Sequence, residues 1–229
     1  MDLKEQLENL RLNNPFLSKT DLVHTVVIDA ILSGFLKCGQ RISQEDLSAQ
    51  LGLSRSPVRE AMNRLALDGY LVREGASGYS VYTLKMEDYL AINEFRLMLE
   101  IYSSELAVKN ILGDQLAKLK QNVAKTKNAV EKNDMVTFSL LDSEFHEIII
   151  SASQNPYLIE TYRQFEKKFD LFRTATLISD MLPDAYRWHK MIYEAIASGD
   201  SQGAAMAAKI HRENTVSGAL MMAKANRRP

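Results

Sequence analysis

The sequence predicts a mainly α-helical protein built from two dissimilar parts. Up to about residue 83 the segments are short and glycine-containing turns are frequent, whereas from about residue 85 onward the chain shows a series of long helical patterns with few glycines. Its 229 residues are enough for one large domain or two modest ones. We therefore predict an N-terminal domain over residues 1–83 and an all-helical C-terminal domain over residues 84–229.

Composition narrows the classes of protein to which the chain can belong. The formal net charge is −1, so contact with nucleic acid would require a local basic patch rather than bulk charge. The single cysteine, Cys38, excludes an internal disulfide, which fits a reducing cytoplasm. The charged N-terminus lacks the apolar region of a secretory signal, and no apolar run approaches the ~20 residues of a membrane span. We expect a cytoplasmic protein that does not contact the membrane.

Three helices and a hairpin are predicted in the N-terminal domain. "DLVHTVVIDAILSGFL" has near-helical apolar spacing, "KCGQRI" is predicted as a break, and "SQEDLSAQLG" is a short helix between Ser43 and Gly52. Ser54 is the predicted cap of a third helix, which has Pro57 in its first turn and ends at Gly69. "YLVRE" and "YSVYTL", on either side of "GASG", predict a β-hairpin. This order of elements is typical of a winged helix-turn-helix.

Arg55 and Arg59 lie one turn apart at the start of the third helix, with Ser56 between them in sequence. In a helix-turn-helix, this end of the second helix of the motif enters the major groove. Arginine can pair bidentately with guanine, serine can donate to phosphate, and the helix dipole favours phosphate there. We therefore predict that these three residues contact DNA. The alternative is a solvated helix face, which is the commoner role for two arginines considered alone.

The stretch "SRSPVREAMNRLALDGYLVREGASGYSV" resembles the signature of the GntR family of bacterial transcription regulators. Seven successive positions, 54–60, carry residues of the family's types, and the resemblance covers about residues 20–83. It implies that the same three side chains contact DNA and that Gly78 lets the tip of the wing approach the minor groove. Some members have a DNA-contacting basic residue in the preceding helix. This chain has Glu45 and Asp46 near that place, so no contact is predicted there.

The C-terminal domain is predicted as an all-α bundle of six or seven helices. Each helix carries an i, i+3, i+4 apolar stripe. In the first helix the stripe comprises Leu90, Phe95, Leu99, Tyr102 and Leu106. The clearest helices are predicted over residues 86–111, 113–133, 135–153, 156–177, 183–198 and 201–225.

Three of the four histidines fall in the helical region, whereas His24 lies among valines of the first helix and is predicted to be structural or at the surface. Asp142 and His146 lie one turn apart on a helix face, a spacing that can chelate one cation. His189 and His211 lie in two other helices, so three imidazoles and a carboxylate could converge inside the bundle. Such a nitrogen-rich set suits Zn²⁺ or Ni²⁺. The alternative is that these histidines are unrelated.

The C-terminal region also resembles a known domain, the FCD ligand-binding domain of FadR-type GntR regulators, over about residues 86–215. The stretches "EFRLMLEIYSSELAV", "DSEFHEIIISASQNPYL" and "WHKMIYEAIASGDSQGAAMAAKIH" carry this resemblance. It implies that Asp142, His146, His189 and His211 bind a divalent metal ion, with none of the four positions missing. It also implies that a small organic acid, often a carboxylate, binds near that metal.

Two further residues are candidates for contact with this acid. Arg96 falls where an arginine of the family's first helix faces the cavity, and a buried guanidinium can pair bidentately with a carboxylate. The alternative for Arg96 is a salt bridge to Glu100, one turn further along. Asn155 is the weaker candidate, since it can equally cap the helix that begins at Pro156.

Together these observations predict a metabolite-responsive transcription regulator, most often a repressor in this family. Since one recognition helix reads only a few base pairs, we expect a homodimer on double-stranded operator DNA, with half-sites ~34 Å apart. The rival interpretation is a metal-dependent hydrolase or lyase built on the helical bundle. The sequence offers no convincing general base or nucleophile for it, so we predict no enzymatic activity. A third interpretation is an adaptor whose helical domain only dimerises.

Overall fold

A computed structural model describes residues 2–75, 78–83 and 85–225, which fold as two compact units, Met1–Lys85 and Met86–Pro229. The predicted fold class is confirmed: a winged helix-turn-helix is followed by an all-α bundle. Over the described residues, no helix combines the length and the apolar character needed to cross a membrane.

Unit 1 has its helices and strands in the order α1, α2, β1, α3, α4, β2, β3 over its described residues. The helices are α1 (Leu3–Asn13), α2 (Lys19–Leu32), α3 (Gln44–Leu51) and α4 (Arg55–Leu67). The strands are β1 (Arg41–Ser43), β2 (Leu71–Glu74) and β3 (Gly78–Val81), and they form one antiparallel sheet in the order β1-β3-β2.

The helix-turn-helix consists of α3 and α4, joined by three residues. The Ser43 hydroxyl accepts a hydrogen bond from the backbone N–H of Asp46 at 3.0 Å, as a helix cap does. Gly52 ends α3 in the left-handed conformation, with φ 64°. Ser54 occupies the cap position of α4 as predicted, but its side chain makes no capping hydrogen bond. The predicted apolar face of α4 is buried, and it comprises Val58, Ala61, Met62 and Leu65.

Two elements of unit 1 differ from the sequence analysis. The stretch predicted as a break ends in the first two residues of strand β1, in which Arg41 pairs with Ser80 and Ile42 with Tyr79. Three residues are too few to show an alternating pattern, and the strand exists only because β3 pairs with it. Helix α1 was not predicted either. It buries only two of its side chains, Leu3 and Leu7, so its apolar signal is weak.

The hairpin of β2 and β3 forms the predicted wing. Gly78 begins β3, and a Cβ atom at this position would lie 2.7 Å from the carbonyl oxygen of Glu74. A side chain there would therefore push the two strands apart, so the glycine has a structural reason that is independent of DNA. The middle of the predicted "GASG" loop, residues 76–77, lies outside the described residues.

Unit 2 consists of six helices over its described residues, in agreement with the predicted bundle. They are α5 (Met86–Asn110), α6 (Gly113–Glu131), α7 (Met135–Ala152), α8 (Pro156–Thr176), α9 (Leu182–Ser198) and α10 (Ser201–Ala225). Every predicted boundary lies within two residues of the observed one. One 3₁₀ turn, Ser179–Met181, leads into α9.

The predicted apolar stripe of α5 is only partly correct. Leu90 and Tyr102 belong to that stripe but are 40% and 50% exposed. The side of α5 that faces the interior is largely polar, and its buried residues include Asn93, Arg96, Glu100, Ser103 and Ser104. An apolar periodicity cannot identify this side, because the helix contributes it to a polar centre inside the unit.

Candidate metal centre and nucleic-acid interface

The three side chains predicted to contact DNA share the exposed face of α4, at its N-terminal end. Arg55, Ser56 and Arg59 are all exposed, opposite the buried apolar face of the helix. The first backbone N–H groups of a helix and its dipole make this end a site for anions. The structure therefore brings these residues together at a surface that suits phosphate.

The two arginines of this face differ in their pairing. Arg55 Nη2 donates to Glu45 Oε1 at 2.6 Å, and both side chains are at least 70% exposed. An exposed ion pair of this kind contributes only ~0–1 kcal/mol. For Arg59, no ion pair or hydrogen bond of the guanidinium is present within the part of the chain that the structure describes. Glu45 thus pairs with one of the two cations of this face.

Helix α4 is braced from two sides, which fixes the direction of its exposed face. The Tyr79 hydroxyl of the wing donates to Asn63 Oδ1 at 2.6 Å. On the other side, Arg64 donates to Asp21 of α2 at 2.8 Å. His24 of α2 is buried, and its Nε2 lies 2.7 Å from a carboxylate oxygen of Asp68, just after α4. His24 therefore has the structural role that was one of its two predicted roles.

In unit 2 the four predicted metal ligands converge from three helices. Asp142 and His146 lie on α7, His189 on α9 and His211 on α10, and all four are buried. One ligand atom from each lies within 4.8 Å of the others. The Nε2 atoms of His189 and His211 are 3.2 Å apart, and Asp142 Oδ1 lies 3.3 Å from His189 Nε2. We call these four residues the quartet.

The quartet has the chemistry that a divalent ion requires. His146 Nε2 is buried, points at the other ligands and has no hydrogen-bond partner in the described part of the chain. Burial lowers the pKa of His146 to about 4 although the Glu100 carboxylate opposes this, so its imidazole is neutral at pH 7. Burial would raise the pKa of Asp142, but the Arg173 guanidinium and His146 hold it well below its usual range. Neutral imidazoles and an ionised carboxylate are the forms that bind metal.

Neighbouring groups orient the ligands. Glu100 Oε1 lies 3.2 Å from His146 Nδ1, which leaves Nε2 for the centre of the quartet. Arg173 Nη1 lies 2.9 Å from Asp142 Oδ2, so this carboxylate is held at one oxygen while the other faces the histidines. The ring of His189 stacks on Phe145 with 4.0 Å between centroids. These contacts fix the ligand set before any ion binds.

Arg96 lines a polar centre inside unit 2 and pairs with Glu100. Its Nε donates to Glu100 Oε1 at 2.5 Å, so the alternative salt bridge exists. Its guanidinium also lies over the ring of Phe169, 5.0 Å from the centroid, while the buried Nη2 has no hydrogen-bond partner in the described residues. Burial would raise the pKa of Glu100, but Arg96, His146 and Arg212 lower it to about 2. The pair is therefore ionised, and one N–H group of Arg96 remains free.

A cavity of about 420 Å³ lies beside the quartet within unit 2. Asp142 and His211 of the quartet line it, together with Arg96, and the rest of the wall mixes aromatic, aliphatic and polar side chains. Its volume is at the lower end of the range for small-molecule sites, ~300–1,000 Å³. The aromatic lining residues are Tyr89, Phe138, Phe169, Phe172 and Trp188.

The second candidate for contact with the acid, Asn155, lies elsewhere. Its Oδ1 accepts hydrogen bonds from the backbone N–H groups of Tyr157 and Leu158, at 3.2 and 3.3 Å. It thus caps α8, and it is not among the residues that line the cavity. The structure does not bring Asn155 to the quartet, and the capping interpretation accounts for it.

Sequence reasoning missed three arginines that line the cavity, Arg173, Arg187 and Arg212. Arg212 directly follows the predicted ligand His211. Its Nη2 donates to Asn93 Oδ1 at 3.2 Å, and its Nε lies 3.8 Å from Glu100 Oε2. Adjacency to a predicted ligand could have marked Arg212. Nothing in the pattern of α8 marks Arg173.

Two family profiles match the chain. The one described as "FCD domain" matches residues 91–214, and the one described as "Bacterial regulatory proteins, gntR family" matches residues 21–81. The FCD match alone covers more than half of the chain.

Similar proteins are transcription regulators. An uncharacterized HTH-type transcriptional regulator of Bacillus subtilis, YdhC, is 28% identical over 76% of this chain and 79% of its own length. The HTH-type transcriptional regulator McbR of Escherichia coli is 34% identical, over 64% of each chain. The gluconate operon transcriptional repressor of Bacillus subtilis is 32% identical over 56% of this chain and 52% of its own length.

Solved structures extend the likeness to the fold and to a metal. Escherichia coli McbR/YncC is 25% identical and superposes with a TM-score of 0.75, over 90% of this chain and 99% of the other. The Zn²⁺-bound FCD domain of TM0439 is 25% identical, with a TM-score of 0.52 over 61% of this chain and 96% of the other. An FCD domain similar to unit 2 therefore binds zinc.

Proposed function

The chain belongs to the gntR family of bacterial regulatory proteins and carries an FCD domain, and on this premise we propose that it is a repressor whose operator binding is controlled by a metal-associated organic acid. The family and the relatives described above are transcription regulators and not enzymes, which removes the alternative of a hydrolase or lyase. Relatives that are repressors support the direction of control.

Operator DNA is the ligand of unit 1 in this proposal. Arg55, Ser56 and Arg59 contact the major groove and its phosphates, and Gly78 brings the wing close to the minor groove. Their shared exposure at the start of α4 supports this. Since α4 reads only a few base pairs, the regulator acts as a homodimer on two half-sites, ~34 Å apart.

A divalent ion, Zn²⁺ or Ni²⁺, is the cofactor, and Asp142, His146, His189 and His211 hold it. The observation that carries this step is the convergence of one donor atom from each of the four within 4.8 Å, with His146 Nε2 buried and without a hydrogen-bond partner among the described residues. When bound, the ion supplies a Lewis acid that attracts a carboxylate. The zinc of a similar FCD domain supports the same assignment.

A small carboxylate is the effector, in the cavity beside the quartet. The free Nη2 group of Arg96 donates to it, since this buried N–H otherwise lacks a partner in the described residues. The acid controls DNA binding by stabilising one of two arrangements of the DNA-binding units in the dimer, with a coupling free energy of ~1–3 kcal/mol.

Metal analysis of the protein and of a ligand variant tests this proposal. Elemental analysis should find one divalent ion per chain in the wild type and none in the His146→Ala/His189→Ala double variant. His24→Ala is the matched control, because His24 is buried in the other unit, and it should retain the metal. Persistence of metal in the double variant at the wild-type ratio would show that the ligand set is wrong.

A second measurement separates an effector site from a metal that is only structural. Metal removal should abolish the effect of organic acids on operator binding in a gel-shift titration. A structural ion would instead lower the melting temperature equally with and without the acid, while no acid would change operator affinity.

A further inference from the structure

The charges around the cavity carry an inference about the effector itself, which depends on the metal site proposed above. Four arginines line the cavity. Three of them, Arg96, Arg173 and Arg212, have side chains that are at most 9% exposed, whereas Arg187 is exposed. Three carboxylates pair with the three buried arginines, those of Glu100, Asp142 and Asp170. Without a metal, this set is therefore electrically balanced.

A divalent ion breaks this balance, because it is bound by neutral imidazoles and by a carboxylate that already has a partner. These three arginines and three carboxylates, together with the ion, then carry two positive charges in excess. An uncompensated buried charge is costly, so the cavity would favour a ligand that supplies two negative charges. The carboxylates of Asp180 and Asp184 also line the cavity, but they are exposed to solvent, and Asp184 pairs with Arg187 at 3.3 Å.

The unused hydrogen-bond donors point in the same direction. Arg96 Nη2, Arg173 Nε and Arg212 Nε are buried without a hydrogen-bond partner in the described residues. Arg96 and Arg212 both approach the same carboxylate, Glu100. Arg96 belongs to α5 and Arg212 to α10, so the guanidinium groups of two different helices lie close to the same carboxylate. A single carboxylate beside the quartet would leave the N–H groups of Arg96 and Arg212 without an acceptor.

We propose that the effector is a short organic dianion, with one acid group beside the quartet and the second on Arg96 and Arg212. The wall also carries aromatic side chains, among them Phe138, Phe169 and Trp188, and their apolar surface favours a short carbon chain between the two acid groups. A dicarboxylate and a monocarboxylate that bears a phosphoryl group share this chemistry. Arg212 is thus the residue that distinguishes a dianion from a monoanion.

The only tryptophan of the sequence, Trp188, lines this cavity, so its fluorescence can follow binding directly. The full-length protein loaded with Zn²⁺ is titrated with malonate, succinate and glutarate, each beside its own monoamide, and with 3-phosphonopropionate. Each monoamide keeps the length of the acid and removes one charge. We expect the best dianion to bind about tenfold or more tightly than its monoamide. A preference for 3-phosphonopropionate would assign the second group to a phosphoryl acid, and a preference for a dicarboxylate would assign it to a carboxylate.

Arg212→Gln should reduce the affinity for the dianion to that for the monoamide and leave the affinity for the monoamide unchanged. Arg187→Gln is the control at the same cavity, and it should keep the discrimination. If Arg212→Gln does not fold, the wild-type comparison of acids and monoamides still tests the inference.

Equal binding of acid and monoamide, or binding of neither, overturns the inference. If a monoamide binds well and alters operator affinity, the proposed function stands and the proposal of a dianionic effector is wrong. If dianions bind selectively without changing operator affinity, the cavity selects dianions but the proposed control of DNA binding is wrong.

Discussion

The arginines of the two units show how the surroundings of one side chain decide its use. In unit 1, Arg55 and Arg59 are exposed, and the one ion pair between them and the rest of the described chain is with an exposed glutamate. In unit 2, Arg96 and Arg212 are buried and share the buried carboxylate of Glu100. An exposed guanidinium can bind phosphate, and added salt weakens this electrostatic attraction. A buried one is fixed in place by its counter-charge and can select a ligand by shape and charge.

The difference also concerns stability. Removal of one partner from an exposed pair costs little, because water and salt replace it. Removal of one partner from a buried pair leaves a charge in a poorly polarisable interior. Glu45 and Glu100 pair with these arginines, the first at the surface and the second in the interior. Substitution of each glutamate by glutamine therefore compares the same change in the two environments.

The largest effect is expected from Glu100→Gln in the metal-free protein. This change leaves the guanidinium groups of Arg96 and Arg212 without their shared counter-charge, so unit 2 should lose ~3–5 kcal/mol of unfolding free energy. Urea unfolding followed by Trp188 fluorescence measures it, since the single tryptophan belongs to unit 2. Glu45→Gln is the matched control, and far-ultraviolet circular dichroism should show a change of at most ~1 kcal/mol for it. Similar losses for both variants would contradict the contrast between the units.

The same contrast explains what the sequence could predict. Helix α4 keeps an apolar and a polar side, so its bounds, its buried residues and its exposed arginines all follow from periodicity. In α5, by contrast, Asn93, Arg96 and Glu100 are buried, so a stripe chosen by hydrophobicity selects some exposed positions. Strand β1 was missed because its structure depends on pairing with a distant segment.

The residues of the candidate site also fall into two groups, those that the sequence could predict and those that it could not. The convergence of Asp142 with three histidines was expected from one helical spacing together with a family resemblance, and the structure brings these residues together. Arg212 and Arg173 were not found, because their approach to the cavity depends on how α8 and α10 pack and not on a local pattern. Residues that meet only through tertiary packing carry no signal in a single sequence.

The second effect in size concerns operator binding by Arg59→Ala. Arg59 is exposed, and within the described residues its guanidinium takes part in no ion pair, so its removal should not change the melting temperature. Loss of one arginine contact to a base should weaken operator binding by ~1–3 kcal/mol. A fluorescence-anisotropy titration with operator DNA measures this change. Arg11→Ala, on α1 and paired with Glu8, is the control and should bind normally. Normal binding by Arg59→Ala would show that α4 does not enter the groove.

The smallest effect is expected from Glu45→Gln on operator binding, and it has the opposite sign. The Glu45 carboxylate engages Arg55 at 2.6 Å on the surface that faces phosphate in our proposal, so it competes with DNA for this cation. Its neutralisation should strengthen operator binding by at most ~1 kcal/mol. Because one more arginine becomes available to phosphate, the slope of log affinity against log salt should steepen by ~1.

The exposed pair of Glu8 and Arg11, at 2.7 Å on α1, provides the matched control for this change. Glu8→Gln alters the net charge of the protein by the same amount, so it reports any effect of overall charge on DNA affinity. An equal gain for both variants would mean that Glu45 acts only through net charge. A gain confined to Glu45→Gln would place its carboxylate within reach of the DNA, and would mean that this carboxylate weakens the binding of α4 to the operator.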